Sequence, residues 1–147
     1  MFKNILVPTD GSKLSMKAVD KAIEFSKATG AGLTVLTVIP PYIVTLAGDG
    51  YVLEPMSSDA WDKVMKNRGD KILAGAEKRA KAKGCPVQLM SVRNSLAYDG
   101  IITAAKKRKC DLIIMASHGR RGLSALLLGS ETTKVLTHSA IPVLVCR

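Results

Sequence analysis

Small residues follow an apolar run in the second half of the chain. Ala116 and Gly119 lie at the end of this run, and Gly129 and Ser130 follow after nine further residues. Small residues let the backbone approach a ligand closely, and a serine that opens a helix leaves free N–H groups at the positive end of the helix dipole. The pattern predicts a cradle for a phosphate group. It equally suits an ordinary turn followed by a helix cap, and the residue types leave both interpretations open.

A carboxylate follows another apolar run near the start of the chain. Asp10 lies in the segment 8–12, directly after the run 5–7. Its side chain can accept hydrogen bonds from ribose hydroxyls or help to hold a hydrated metal ion. It can also close a local turn with Gly11 and Ser12. The sequence leaves both roles open.

These residues lie at the ends of segments that alternate between two hydrophobic patterns. Apolar runs without polar alternation are typical of strands covered on both faces, and stripes at helical spacing are typical of amphipathic helices. The predicted strands are 5–7, 33–39, 86–92, 111–116 and 141–146. The predicted helices are 12–30, 59–83, 97–109 and about ten residues from Ser130.

The order βαβαβαβαβ predicts a single α/β domain over residues 1–147, with an open five-stranded parallel sheet and helices on both faces. Ligands of such sheets bind beyond the carboxyl ends of the strands, which selects the loops 8–12, 38–41 and 117–130. The stretch 40–58 is long for a plain connection, so we expect a lid or an interface element there.

The charge of the chain is unevenly distributed. The formal net charge is +10, and residues 78–147 hold all of the excess, with thirteen basic and three acidic side chains. This indicates an anionic partner near the C-terminal half, with Arg120 and Arg121 as candidate contacts, although lysine-rich helix faces are also ordinary solvated surfaces. Aromatic residues make up only 4% and form no stacking platform, so we expect no specific nucleic-acid partner.

Composition also bears on location. The longest apolar runs are far too short to span a membrane, so we expect no membrane partner. Cys85, Cys110 and Cys146 are far apart and form no C-x-x-C pair, which favours buried free thiols in a reducing compartment. The first residues lead directly into a strand without a targeting pattern. We therefore expect a cytoplasmic protein.

At this level of detail the chain resembles the universal stress protein family. The resemblance is carried, in order, by the segments 5–12, 111–119, 128–130 and 141–145. The ATP-binding branch of that family has Gly, two residues, Gly, nine residues, then Gly-Ser or Gly-Thr. Ala116, Gly119, Gly129 and Ser130 hold these places here, with alanine for the first glycine. The spacing is otherwise intact.

The resemblance implies a Rossmann-like fold of the nucleotide-binding α-hydrolase-like type and a homodimeric, ATP-binding regulatory protein of the stress response. ATP would bind with or without Mg²⁺ or Mn²⁺, and the protein would have an unknown protein partner. Asp10 would face the ribose, the backbone of Val38 the adenine edge, and Met115 the base. The full expected site consists of Pro8, Thr9, Asp10, Val38, Met115, Ala116, Gly119, Gly129, Ser130 and Glu131. The last four of these residues would surround the phosphates.

Two departures from the family pattern carry expectations of their own. Alanine at position 116 adds a methyl group and disfavours positive φ, so we expect it to affect how closely this turn meets a nucleotide. The turn 93–95 replaces one that often contains glycine and proline in relatives, and we expect it to lie outside the phosphate cradle.

Alternative functions remain beside ATP binding. Ser117, His118 and Asp10 are the residue types of a nucleophilic triad, but no G-x-S-x-G elbow is present and the adjacent Ser117 and His118 side chains are expected to diverge. We therefore assign no catalytic residue and expect His118 to line the site. Slow ATP hydrolysis and a stress protein that acts through partners without nucleotide are the alternatives. The apolar strand 141–145 is the expected dimer seam, with Pro142 at its start.

Overall fold

The computed structural model describes residues 1–42, 56–119 and 128–147. Strands and helices alternate in these ranges, which confirms the predicted fold class. The strands are β1 (Asn4–Pro8), β2 (Gly32–Ile39), β3 (Gln88–Arg93), β4 (Leu112–Ala116) and β5 (Val143–Cys146). The helices are α1 (Lys13–Thr29), α2 (Ser58–Ala82), α3 (Ala97–Lys107) and α4 (Ser130–His138). Most of the predicted lid 40–58, and both Arg120 and Arg121, lie outside the described residues.

The five strands form one parallel sheet in the order β3-β2-β1-β4-β5. The chain first moves outward from β1 to β3, then crosses to the other side of β1 and continues to β5. The loops that follow β1 and β4 therefore separate at the carboxyl ends of neighbouring strands. This switch point is where an open α/β sheet provides a crevice for a ligand.

Each face of the sheet is covered by a pair of helices. Ile5 and Val7 of β1 are fully buried in the cluster that contains α1 and α2, whereas Leu6 between them is buried in the cluster that contains α3 and α4. Alternating side chains of a strand point to opposite faces, so a strand covered on both faces, such as β4, is apolar at every position. The unbroken apolar runs have this physical cause.

Asp111 joins the start of β1 to the start of β4. Its carboxylate accepts hydrogen bonds from the backbone N–H groups of Asn4 (2.9 Å) and Lys3 (2.8 Å). These bonds favour the charged carboxylate, that of Asn4 most strongly, and lower the pKa of Asp111 despite an opposing effect of burial. The ionised side chain thus fixes the central strand pair at its amino end.

We expect Asp111→Asn to lower the free energy of unfolding at neutral pH by about 1–2 kcal/mol, since one charge-assisted hydrogen bond is lost. Because the pKa of Asp111 is lowered in the folded state, its contribution is present above the unfolded pKa and is lost as the pH falls through the folded pKa. The difference in free energy of unfolding between parent and variant should therefore become smaller at acid pH. Urea unfolding at neutral pH and below about pH 4 measures this difference, and an equal difference at both pH values would contradict the prediction.

Gly69 and Gly75, both within α2, lie in different surroundings. A β-carbon at Gly69 would be 2.9 Å from the Cδ1 of Ile39, whereas a β-carbon at Gly75 would have no neighbour within 4 Å. Glycine within a helix generally lowers helix stability. The structure shows that Gly69 also permits the close packing of α2 on β2.

We therefore expect Gly75→Ala to raise the free energy of unfolding by about 0.5–1 kcal/mol, because alanine is the better helix former. Gly69→Ala should gain less or lose stability, since Ile39 must move away from the new methyl group. Thermal unfolding of the two variants beside the parent measures the contrast. Equal gains would show that the approach of α2 to β2 is not tight.

The strand β5 forms one edge of the sheet, and Pro142 directly precedes it, as predicted. The carbonyls of Pro142 and Cys146 both accept hydrogen bonds from the β4 side. Because backbone groups in a strand alternate between its two edges, Val143 and Val145 direct their N–H and C=O groups to the free edge. Leu144 is 41% exposed.

The described residues contain no helix that is long and apolar enough to span a membrane.

Candidate functional site

A cavity of about 610 Å³ lies at the carboxyl ends of the strands, bounded by the loops after β1 and β4 and by the first turns of α3 and α4. Every residue of the expected site is part of its wall. These residues are Pro8, Thr9, Asp10, Val38, Met115, Ala116, Gly119, Gly129, Ser130 and Glu131. The fold thus brings together residues from four separate parts of the sequence. A concave site of this size suits a small-molecule ligand.

Asp10 has the local role that the sequence left open. Its Oδ1 accepts hydrogen bonds from the N–H of Ser12 (2.9 Å) and the hydroxyl of Ser15 (2.8 Å), at the beginning of α1. Its Oδ2 lies against the loop that follows β4, where a β-carbon at Gly119 would be only 2.5 Å away. Glycine at position 119 therefore permits this close approach, and a larger residue would displace the Asp10 carboxylate. Asp10 both forms the turn and joins the two loops that bound the cavity.

Ala116 does not strain the site. It is the last residue of β4, is 6% exposed and has a negative φ, as any residue in extended backbone does. Its carbonyl accepts a hydrogen bond from the hydroxyl of Thr132 (2.9 Å), which holds the first turn of α4 against β4. Alanine therefore causes no backbone strain at this position, and its effect on the approach of a nucleotide stays a prediction.

Gly129 is required for packing and not for its backbone freedom. Its φ is −63°, but a β-carbon would lie 3.1 Å from the Cα and Cβ of His118. Its N–H donates to the carbonyl of Ser117 at 2.7 Å, so this amide is not open to a ligand. The first bond of α4 runs from the N–H of Thr133 to the carbonyl of Gly129 (3.0 Å). The N–H groups of the three residues between them therefore precede the helical bonds and face the cavity end of α4.

Glu131 lies in the first turn of α4 and its carboxylate bridges to α3. One oxygen accepts the backbone N–H of Tyr98 (2.8 Å), and the other pairs with the ammonium group of Lys134 (3.1 Å). The N-cap position of α3, Leu96, makes no side-chain capping bond. Glu131 thus caps a neighbouring helix from a distance, a role that its position beside Ser130 in the sequence does not reveal.

Val38 lies where β2 extends beyond its neighbour. The carbonyl of Leu36 accepts a hydrogen bond from the N–H of Thr9 (2.8 Å), so the backbone groups of Leu36 point towards β1. The backbone groups of Val38, two residues further on, point to the same edge of β2. Since β1 ends at Pro8, opposite Leu36, the backbone N–H and C=O of Val38 point past the end of β1 into the cavity. The cavity therefore has backbone donors and acceptors at the β2 end as well as at α4.

Sequence reasoning missed several residues of the wall. Ser95 and Leu96 line the cavity, so the turn 93–95 contributes its last residue to the wall, and its expected place outside the phosphate cradle stays a prediction. Lys134 and Arg68 line it too. The position of Lys134 one turn after Ser130 is a signal that could have been used. Arg68 comes from the middle of α2, where nothing in the sequence distinguishes it from the other exposed cations.

The side chains of Ser117 and His118 were expected to diverge, but in the structure they are in contact. The hydroxyl of Ser117 and the Nδ1 of His118 are 3.2 Å apart. His118 lines the cavity, as predicted, whereas Ser117 is only 5% exposed and is not among the described residues of the wall. The Ser117 hydroxyl is thus buried beside His118, and we assign no catalytic role to the pair. Within the described ranges, no group of three His, Cys, Asp or Glu side chains could hold a metal ion.

The model of the universal stress protein family matches residues 1–147. The chain belongs to this family. A universal stress protein of Bacillus subtilis, YxiE, is 36% identical over 150 residues, with full coverage of both chains. The universal stress protein MJ0531 of Methanocaldococcus jannaschii is 31% identical, with 100% of this chain and 83% of the relative covered.

Solved structures of universal stress proteins share the fold. The structure of MJ0577 from Methanocaldococcus jannaschii is 28% identical and superimposes with a TM-score of 0.75 over 99% of this chain and 95% of the other. A universal stress protein in complex with cAMP is also 28% identical, with a TM-score of 0.72 over 99% and 97% of the two chains. The five-stranded α/β architecture is therefore that of the universal stress protein family.

Proposed function

We propose that this universal stress protein is an ATP-binding regulatory protein of the stress response and acts as a homodimer. The observation that carries the proposal is the cavity at the switch point, with free N–H groups of α4 at one end and the backbone of Val38 at the other. The two ends suit the two ends of a nucleotide, phosphate and base. A related universal stress protein that forms a complex with cAMP supports an adenine nucleotide as the ligand.

The phosphates would bind at the first turn of α4. The N–H groups of Ser130, Glu131 and Thr132 precede the helical bonds there, and the positive end of the helix dipole favours an anion. Lys134 adds a cation to the same wall. A magnesium or manganese ion that accompanies a nucleotide takes most of its ligands from phosphate oxygens and water, so the chain need contribute few.

Calorimetry with ATP on nucleotide-free protein tests the proposal directly. Mass spectrometry of compounds that co-purify with the protein gives an independent test. Saturable binding of ATP at one site per chain is expected. No binding of ATP, AMP or cAMP would contradict the proposed function, and phosphate release by pure protein would add hydrolysis to it.

We expect ATP to bind more tightly than GTP. If the base contacts the N–H and C=O of Val38, guanine presents its donors and acceptors at different places and leaves buried polar groups unpaired. One such group costs about 1–3 kcal/mol, which corresponds to a preference of roughly tenfold to hundredfold. Competition calorimetry with both nucleotides measures the ratio, and equal affinities would exclude base recognition at β2.

The proposed dimer uses β5. The free edge of this strand presents the N–H and C=O groups of Val143 and Val145, and Leu144 adds an exposed apolar side chain. An uncovered edge strand of this kind pairs readily with another strand.

The proposed place of action is the cytoplasm, because free thiols are typical of a reducing compartment. All three cysteines are free, although Cys146 is less buried than predicted.

A further inference from the structure

Two helices begin at the cavity, and their first turns differ in what they offer an anion. Neither Leu96, the N-cap of α3, nor Gly129, the N-cap of α4, makes a side-chain capping bond. Both residues line the cavity. At α3, however, the N–H of Tyr98 already donates to Glu131 at 2.8 Å. The chain therefore supplies its own anion to one helix and leaves the other for a ligand.

The same carboxylate also engages a cation of the cavity wall. The ammonium group of Lys134 is 3.1 Å from the second carboxylate oxygen of Glu131 and 5.6 Å from the centre of the Tyr98 ring. The two charged side chains are 45% and 41% exposed, so solvent and salt weaken their attraction without removing it. Glu131 is thus a negative charge in the very turn that would receive phosphates, and it holds the nearby lysine.

We propose that Glu131 determines how strongly the cavity distinguishes adenine nucleotides by their number of phosphates. The inference rests on the proposed nucleotide site. Each added phosphate brings more negative charge towards α4, where the Glu131 carboxylate repels it and competes for Lys134. Glu131 therefore reduces the advantage of ATP over AMP and adenosine, while its bond to Tyr98 keeps α3 in place. Its side chain thus sets specificity, while only its backbone N–H belongs to the proposed phosphate cradle.

Glu131→Gln separates these effects, because glutamine retains an oxygen for the N–H of Tyr98 and loses the charge. We expect the affinity for ATP to rise about tenfold, the affinity for AMP to rise less, and that for adenosine to change by less than about twofold. Calorimetry with the three ligands at one fixed salt concentration measures these ratios. The melting temperature reports whether the cap of α3 survives.

Glu77→Gln is the matched control. Glu77 forms a similar surface pair with Lys81 (3.0 Å) on α2, is absent from the described cavity wall, and its substitution changes the net charge equally. The proposal is overturned if the ratio of ATP to adenosine affinity rises no more in Glu131→Gln than in Glu77→Gln, or if it falls. Failure of parent and variants to bind any of the three ligands would overturn the proposed function together with this inference.

Discussion

Gly129→Val is expected to reduce ATP affinity at least about a hundredfold. The new β-carbon would be 3.1 Å from the Cα and Cβ of His118, and the two methyl groups of valine need further space. The start of α4 and the loop after β4 must then move apart, which strains the hydrogen bond from the N–H of Gly129 to the carbonyl of Ser117. The N–H groups that would receive the phosphates move with α4. We also expect a loss of about 2–3 kcal/mol in stability from overpacking.

Binding and stability must be measured on the same preparation, because the two effects have different meanings. Gly75→Val makes the same chemical change on an exposed part of α2 with no neighbour within 4 Å, and it should leave both ATP affinity and the melting temperature nearly unchanged. If Gly129 serves only in packing, the melting temperature falls while folded protein binds ATP normally. A well-folded Gly129→Val protein with the ATP affinity of the parent would remove the phosphate cradle from the proposed function.

Val145→Pro is expected to convert the proposed dimer into a monomer. The N–H of Val145 points to the free edge of β5, so proline removes a donor that only a partner strand could use. Proline also favours an extended residue before it, which suits Leu144 within the strand. The backbone hydrogen bonds between β5 and β4 do not involve the N–H of Val145, so they are retained and the chain itself should stay folded.

Sedimentation at micromolar concentration measures this result against Val145→Thr, which retains the N–H and the β-branched shape. The parent and Val145→Thr should sediment as dimers, and Val145→Pro as a single chain of 15.7 kDa. A parent that sediments only as a monomer would exclude the proposed dimer. A Val145→Pro variant that remains dimeric would place the interface away from the edge of β5.

The sequence predicts the elements of this fold because burial on both faces leaves a simple pattern. Leu6 and its neighbours must be apolar at every position, and this requirement separates strands from amphipathic helices along the chain. The loops of the cavity follow from the same pattern, since ligands of parallel sheets bind at one edge. The strand order was not accessible, because no local pattern states that β1 pairs with both β2 and β4.

What the sequence could not show are relations between distant residues. Glu131 caps α3 across 33 positions, and Gly69 lets α2 pack closely against the side chain of Ile39. Single-sequence patterns describe only near neighbours along the chain, so such contacts leave no periodic signal. Ala116 shows the opposite case, in which a family pattern suggested a constraint on φ that the extended backbone of β4 does not impose.

The hydrogen bonds between Asp111 and the start of the first strand also affect how the chain folds. The bond from the N–H of Lys3 to Asp111 spans 108 positions, and the pairing of β1 with β4 is similarly remote. Closing such a loop is slow, and no cavity wall exists on the β4 side until most of the chain has been synthesised. A ligand that touches both sides would bind only the completed fold. It would then act mainly by slowing unfolding, and so would lengthen the lifetime of the native chain without helping it to form.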